Sequence, residues 1–117
     1  VFDFGSHGST FGGNPAVCAG AVNVLSRIDD ELLKSVKEKS DYIFNELNGA
    51  KGVKSVSGLG LMIGVETEKD SGEVLKKCLE NGVSVLKAKN KIRLLPALNI
   101  PFDLLKKAVS VLKSACE

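Results

Sequence analysis

Apolar residues recur along this chain with two different periods, and the changes of period mark its elements. From Asp29 or Asp30 to about Leu47, a stripe of Leu32, Leu33, Val36, Ile43, Phe44 and Leu47 follows helical spacing. Asn48-Gly49 supplies the stop. The period then drops to two. Leu59, Leu61, Ile63, Val65 and Thr67 alternate with Gly60, Met62, Gly64 and Glu66, which predicts a strand with one strongly apolar face. The preceding "KGVKSVSG" reads as its hairpin partner. Helical spacing returns over 72–81, with Val74, Leu75, Cys78 and Leu79 inward and Asn81-Gly82 as the stop. Two short strands are expected at about 83–87 and 91–95. A last helix starts near Pro101 and carries Leu105, Ala108, Val109, Leu112 and Ala115 on one side. Ahead of all these, Asn14 and Pro15 have the character of an N-cap and a first-turn proline, opening a helix through about Ser26. Helices interleaved with mostly hairpin-linked strands predict an α+β fold, a small antiparallel sheet covered by helices.

One helix departs from this pattern. "PAVCAGAVNVLS" is apolar or small nearly all round, with Ala16, Ala19, Gly20 and Ala21 on more than one face. Such a helix is normally buried on several sides. A single-sheet domain of 117 residues cannot easily surround it. It is either the central helix of an unusually compact fold or a helix whose far side is covered by a missing domain or second subunit. The second reading is preferred.

Composition narrows the partners. The chain is 44% hydrophobic and 26% charged, with 16 basic and 14 acidic residues spread along it. Without a basic stripe, nucleic-acid or membrane-surface binding has little support. Lys87, Lys89 and Lys91 flank a turn and read as a solvated connection. Cys18, Cys78 and Cys116 are odd in number and far apart, which predicts reduced thiols in a cytoplasmic protein and no metal site. Each sits at an apolar helical position and reads as a small core residue. No signal peptide is visible, and no apolar run reaches transmembrane length. The opening at Val1, without an initiator Met, suggests processing or a piece cut from something longer.

Two stretches carry candidate chemistry. "GSHGSTFGGNP", residues 5–15, packs four glycines, two serines, a threonine and a proline ahead of a helix. Glycine permits close backbone approach, helix-start N–H groups attract anions, and hydroxyls donate to phosphate oxygens. Ser9 and Thr10 therefore contact a phosphate or carboxylate, or the stretch is a plain glycine-rich turn. A nucleotide P-loop is excluded, because no lysine lies in the stretch. His7, the single histidine, has no carboxylate or cysteine at ligand or triad spacing and reads as a loop-packing residue. Asp29 and Asp30 suit a helix start, and Glu66 and Glu68 a solvated strand end. In "KIRLLPALNIP", residues 91–101, Ile92 and Leu94 face one side of a strand, leaving Arg93 on the other with Leu95. Its guanidinium cannot lose its charge and needs a partner. That partner is a structural carboxylate in a buried ion pair, or the carboxylate of a substrate held bidentate.

"HGSTFGGNPAVCAGAVNVL", then "GLGLMIGVE" and "IRLLPALNI", together resemble the C-terminal part of class III (ornithine-type) aminotransferases, nearest to those acting on acetylornithine. The resemblance covers essentially the whole chain in order. It implies a pyridoxal-phosphate enzyme of fold type I working as a cytoplasmic homodimer on amino-acid and 2-oxoacid substrates. Residues 1–28 would then be a cofactor-phosphate loop and connecting helix from the large-domain junction, and 29–117 a C-terminal small domain. The threonine matching Thr10 holds the phosphate of the neighbouring subunit's cofactor. The serine matching Ser9 lies beside that phosphate and the substrate, and the arginine matching Arg93 receives the substrate carboxylate. The family's Schiff-base lysine and its other cofactor-holding residues precede this segment, and no lysine occurs here before Lys34. The resemblance thus implies a fragment with no catalytic residue of its own, inactive alone. Ala97 replaces the proline common in the family's "RLLPPL". Ornithine, succinylornithine and 4-aminobutyrate aminotransferases share most of these features. A non-catalytic anion-binding or oligomerisation module is the reading from another class.

Overall fold

The computed structural model describes residues 3–117; Val1 and Phe2, which open the expected 1–28 segment, lie outside the described residues. The chain divides into two compact units, one ending at Asp30 and one spanning Glu31–Glu117.

The first unit is the glycine-rich loop followed by α1 (Pro15–Leu25). The Asn14 side chain accepts hydrogen bonds from the Ala16 and Val17 backbone N–H groups, at 3.0 and 3.4 Å. Pro15 stands in the first turn, where its missing N–H costs nothing. No residue of α1 is buried, and Val17, Val22, Val24 and Leu25 are all more than half exposed. Cys18 is also exposed, a correction to its reading as a core residue, because it shares the exposure of the whole of α1.

The second unit contains α2 (Asp30–Leu47), β1 (Val53–Leu59), β2 (Met62–Thr67), α3 (Ser71–Glu80), β3 (Leu86–Ala88), β4 (Lys91–Leu94) and α4 (Phe102–Cys116). Its sheet has the order β1-β2-β4-β3, and every neighbouring pair is antiparallel. Ile43 and Leu47 from α2, Val74 from α3 and Leu112 from α4 join Ile63, Val65 and Ile92 of the sheet in one core, each at most 1% exposed. Burying each such side chain stabilises the fold by about 1.5–3 kcal/mol. Asp70 caps α3 by accepting from Gly72 and Glu73. The Gly72 N–H, together with Lys87, holds the Asp70 carboxyl below its ordinary range. The α+β class and the antiparallel sheet agree with the expectation.

Several local expectations need correction. The strand expected over 59–67 is two strands, with Gly60 and Leu61 forming the turn between β1 and β2. Leu59 pairs with Met62 on the outer face and is 89% exposed, whereas Leu61 turns inward. A two-residue turn preserves an apparent alternation while reversing the chain, so period alone cannot locate it. The strand expected at 83–87 is confined to Leu86–Ala88. Leu33 and Leu79, at the margins of their helical stripes, are exposed, and α2 instead buries Lys39 and Ser40.

Antiparallel register assigns the remaining side chains to the outer face. Ser57 stands opposite Gly64, Gly64 opposite Arg93, and Arg93 opposite Leu86. Leu59, Met62 and Leu86 on that face are exposed, and this face is where the unit presents its arginine.

Candidate functional site

Two turns shape the glycine-rich loop. The Gly12 N–H donates to the Ser9 carbonyl at 3.4 Å, and the Asn14 N–H donates to the Phe11 carbonyl at 3.2 Å. They display Ser9 and Thr10 in the open, and neither hydroxyl has a hydrogen-bond partner among the described residues. A Cβ at Gly12 would lie 3.2 Å from the Ser9 Oγ, so the glycine leaves room around that hydroxyl. The start of α1 contributes less than its position suggests. Two of its N–H groups are already held by Asn14, so the unpartnered donors here are the hydroxyls.

In the second unit, Arg93 is exposed and its guanidinium forms no ion pair or hydrogen bond among the described residues. Of its two readings, a buried ion pair with a carboxylate among the described residues is therefore not what the structure shows. Its carboxylate neighbour on the same face, Glu66, accepts from Ser55 Oγ and Asn90 Nδ2, each at 3.2 Å. Lys91 is likewise occupied, donating to Ser57 Oγ at 3.0 Å. Gly64, the residue opposite Arg93 on β2, has no side chain to cover it. Among the described residues, Arg93 is the one charged residue lining a cavity of about 310 Å³, whose other walls include Leu95 and Pro96 after it and the core residues Ile43, Leu105 and Val109 of α2 and α4. An always-charged planar fork on the open face, with the apolar Leu95 and Pro96 following it in the chain, suits a carboxylate carried on a hydrocarbon stem.

The other reactive side chains are inert or dispersed. Burial pushes the Cys78 thiol up, and burial together with the nearby Cys78 pushes Cys116 up to about 11. Neither is a thiolate near neutral pH. Among the described residues, no group of His, Cys, Asp and Glu side chains is arranged to hold a metal ion, and no helix is long and apolar enough to cross a membrane. Reading the sequence singled out Ser9, Thr10 and Arg93 but missed Gly12 and Gly64 as the bare positions beside them. A glycine on the outward side of an otherwise regular strand was the available signal for Gly64.

Comparison with known proteins gives one consistent family. A family model described as aminotransferase class-III matches residues 1–116. An acetylornithine aminotransferase from Haemophilus ducreyi is 44% identical over 92% of this chain and 28% of its own length. Among solved structures, an acetylornithine aminotransferase from Elizabethkingia anophelis superimposes with a TM-score of 0.79 at 27% identity, covering 97% of this chain and 31% of that one. An ornithine aminotransferase from Toxoplasma gondii, whose active site holds PLP at partial occupancy, gives 0.77 at 31% identity over 97% and 29%. The chain spans less than a third of the length of the curated relatives it matches.

Proposed function

The chain belongs to the class III aminotransferases, and on that premise we propose that it is the C-terminal part of an acetylornithine aminotransferase of arginine biosynthesis. In this reading the whole protein is a cytoplasmic homodimer. It moves the δ-amino group of N-acetylornithine to 2-oxoglutarate, yielding N-acetylglutamate semialdehyde and glutamate. The observation that carries the proposal is the combination of 44% identity to an acetylornithine aminotransferase with an unpartnered Arg93 on the open sheet face.

Pyridoxal phosphate is the cofactor of this family, and when bound it supplies the electron sink for amino-group transfer. The residues present fit its phosphate: two exposed, unpartnered hydroxyls stand beside a bare glycine. Thr10 donates to that phosphate across the homodimer, and Ser9 stands beside both phosphate and substrate. Arg93 holds the carboxylate of the amino donor in one half-reaction and of the oxoacid in the other. Bidentate capture fixes the direction in which the rest of the substrate projects, which is a positioning contribution.

An assay of the purified full-length protein tests the proposal. Turnover is expected with N-acetylornithine and 2-oxoglutarate in preference to ornithine, and none from the 117 residues alone, which hold no lysine before Lys34. Preference for ornithine would transfer the protein to that type. Turnover by the isolated segment would contradict an upstream catalytic lysine.

Thr10→Ala tests the loop separately. Losing a hydrogen bond to a charged phosphate costs about 1.5–3 kcal/mol, so cofactor retention should weaken roughly ten- to hundredfold. Excess cofactor should restore much of the rate. Unchanged retention during dialysis would remove Thr10 from the phosphate site.

A further inference from the structure

We propose that Lys39 is a positioning residue for the carboxylate site: its ammonium pins the Leu98 carbonyl, and with it the apolar wall that follows Arg93. The proposal rests on the reading of Arg93 given above.

Lys39 lies on α2 and is 6% exposed, the one buried charged side chain among the described residues. Burying an ammonium costs several kcal/mol unless it is partnered. Its partner is neither a carboxylate nor a neighbour in sequence. Lys39 Nζ donates to the Leu98 carbonyl at 3.1 Å, across 59 positions. Leu98 belongs to the segment joining β4 to α4, which begins as the sheet ladder ends at Leu94.

Ile100 packs against the core at the far end of that segment, and its hydrogen-bond restraints are few. Its internal turn is closed by the Ile100 N–H donating to the Ala97 carbonyl at 3.0 Å. The Lys39 contact is the only hydrogen bond joining residues 95–101 to a distant element among the described residues. Leu95 and Pro96, at the start of the segment, line the same cavity as Arg93. The ladder holds this wall at one end and Lys39 holds it near the other. Without the ammonium, the guanidinium keeps its charge and its strand, but the wall beside it loses its anchor. Substrate capture should suffer, whereas the chemistry of bound substrate should not.

The test uses the full-length protein with its cofactor and compares Lys39→Met with Arg93→Lys. Lys39→Met is expected to raise KM for both carboxylate substrates about three- to tenfold with kcat nearly unchanged. Amide exchange at Asn99 and Ile100 should accelerate in the same variant. A lower melting temperature with unchanged KM would mean that Lys39 only stabilises the fold, and the proposal would fall. If Arg93→Lys raises KM and Lys39→Met does not, the positioning role alone fails. If neither does, the carboxylate reading of Arg93 has failed and takes this proposal with it. A KM rise in Lys39→Met alone would also overturn it, since Lys39 would then act by another route. Should Lys39→Met not fold, Lys39→Gln keeps a polar group in that space but falls short of Leu98, and it must give the same KM rise.

Discussion

Arg93→Lys in the full-length protein is expected to lower kcat/KM by about 2–4 kcal/mol, roughly 30- to 1000-fold, for amino donor and oxoacid alike. The substitution keeps the positive charge and removes only the planar fork. If Arg93 acted as a diffuse surface charge, lysine would replace it with little loss. The large loss follows from its surroundings: Lys91, another cation on that face, donates to Ser57, and Gly64 contributes no side chain. No neighbour is placed to take over the second hydrogen bond. The melting temperature should hardly move, because Arg93 makes no ion pair that folding depends on. Steady-state kinetics of both half-reactions, with a thermal melt alongside, separate capture from stability. Unchanged KM and kcat for both substrates would exclude Arg93 from the site.

Gly52→Ala should destabilise the second unit by about 3 kcal/mol or more, whereas Gly49→Ala should cost about 1 kcal/mol. Both glycines have left-handed backbone, with φ of 79° and 78°. The strain of an L side chain in that region is therefore common to the pair. Their surroundings differ. A Cβ at Gly49 meets nothing within 4 Å, but one at Gly52 would overlap the backbone carbonyl of Cys116 at the end of α4. A backbone carbonyl at a helix end cannot swing aside as a flexible side chain can. Either β1 or the last turn of α4 must shift, and both carry buried residues, Val53 and Cys116. In a unit of this size 1 kcal/mol corresponds to roughly 4–8 °C, so the melting temperatures of the two variants should differ by about 10 °C. Equal melting temperatures would show that this close approach does not restrain the fold.

The helices were the most legible part of the sequence because their signals are local. An Asn-Pro start and a central apolar stripe act within a few residues of themselves, and α1, α2 and α4 lie close to where the pattern puts them. Stripe margins were less legible. Leu33 and Leu79 continue the helical spacing but stay exposed, since burial at a margin depends on which neighbour arrives. The turn at Gly60 and Leu61 escaped for a related reason: alternation persists through a tight hairpin while the chain reverses. In the site, residue chemistry alone drew attention to Ser9, Thr10 and Arg93, while their roles rested on resemblance.

By itself the sequence determined the α+β class, the helix starts and stops, and a short set of side chains able to bind an anion, all of which depend on residues near in sequence. Only the tertiary structure decided that Arg93 has no carboxylate partner among the described residues, that Gly64 leaves it uncovered, and that Lys39 is buried against Leu98. Each of those facts is a meeting between distant segments. Such meetings are set by strand register and helix packing, which pattern along the chain does not encode.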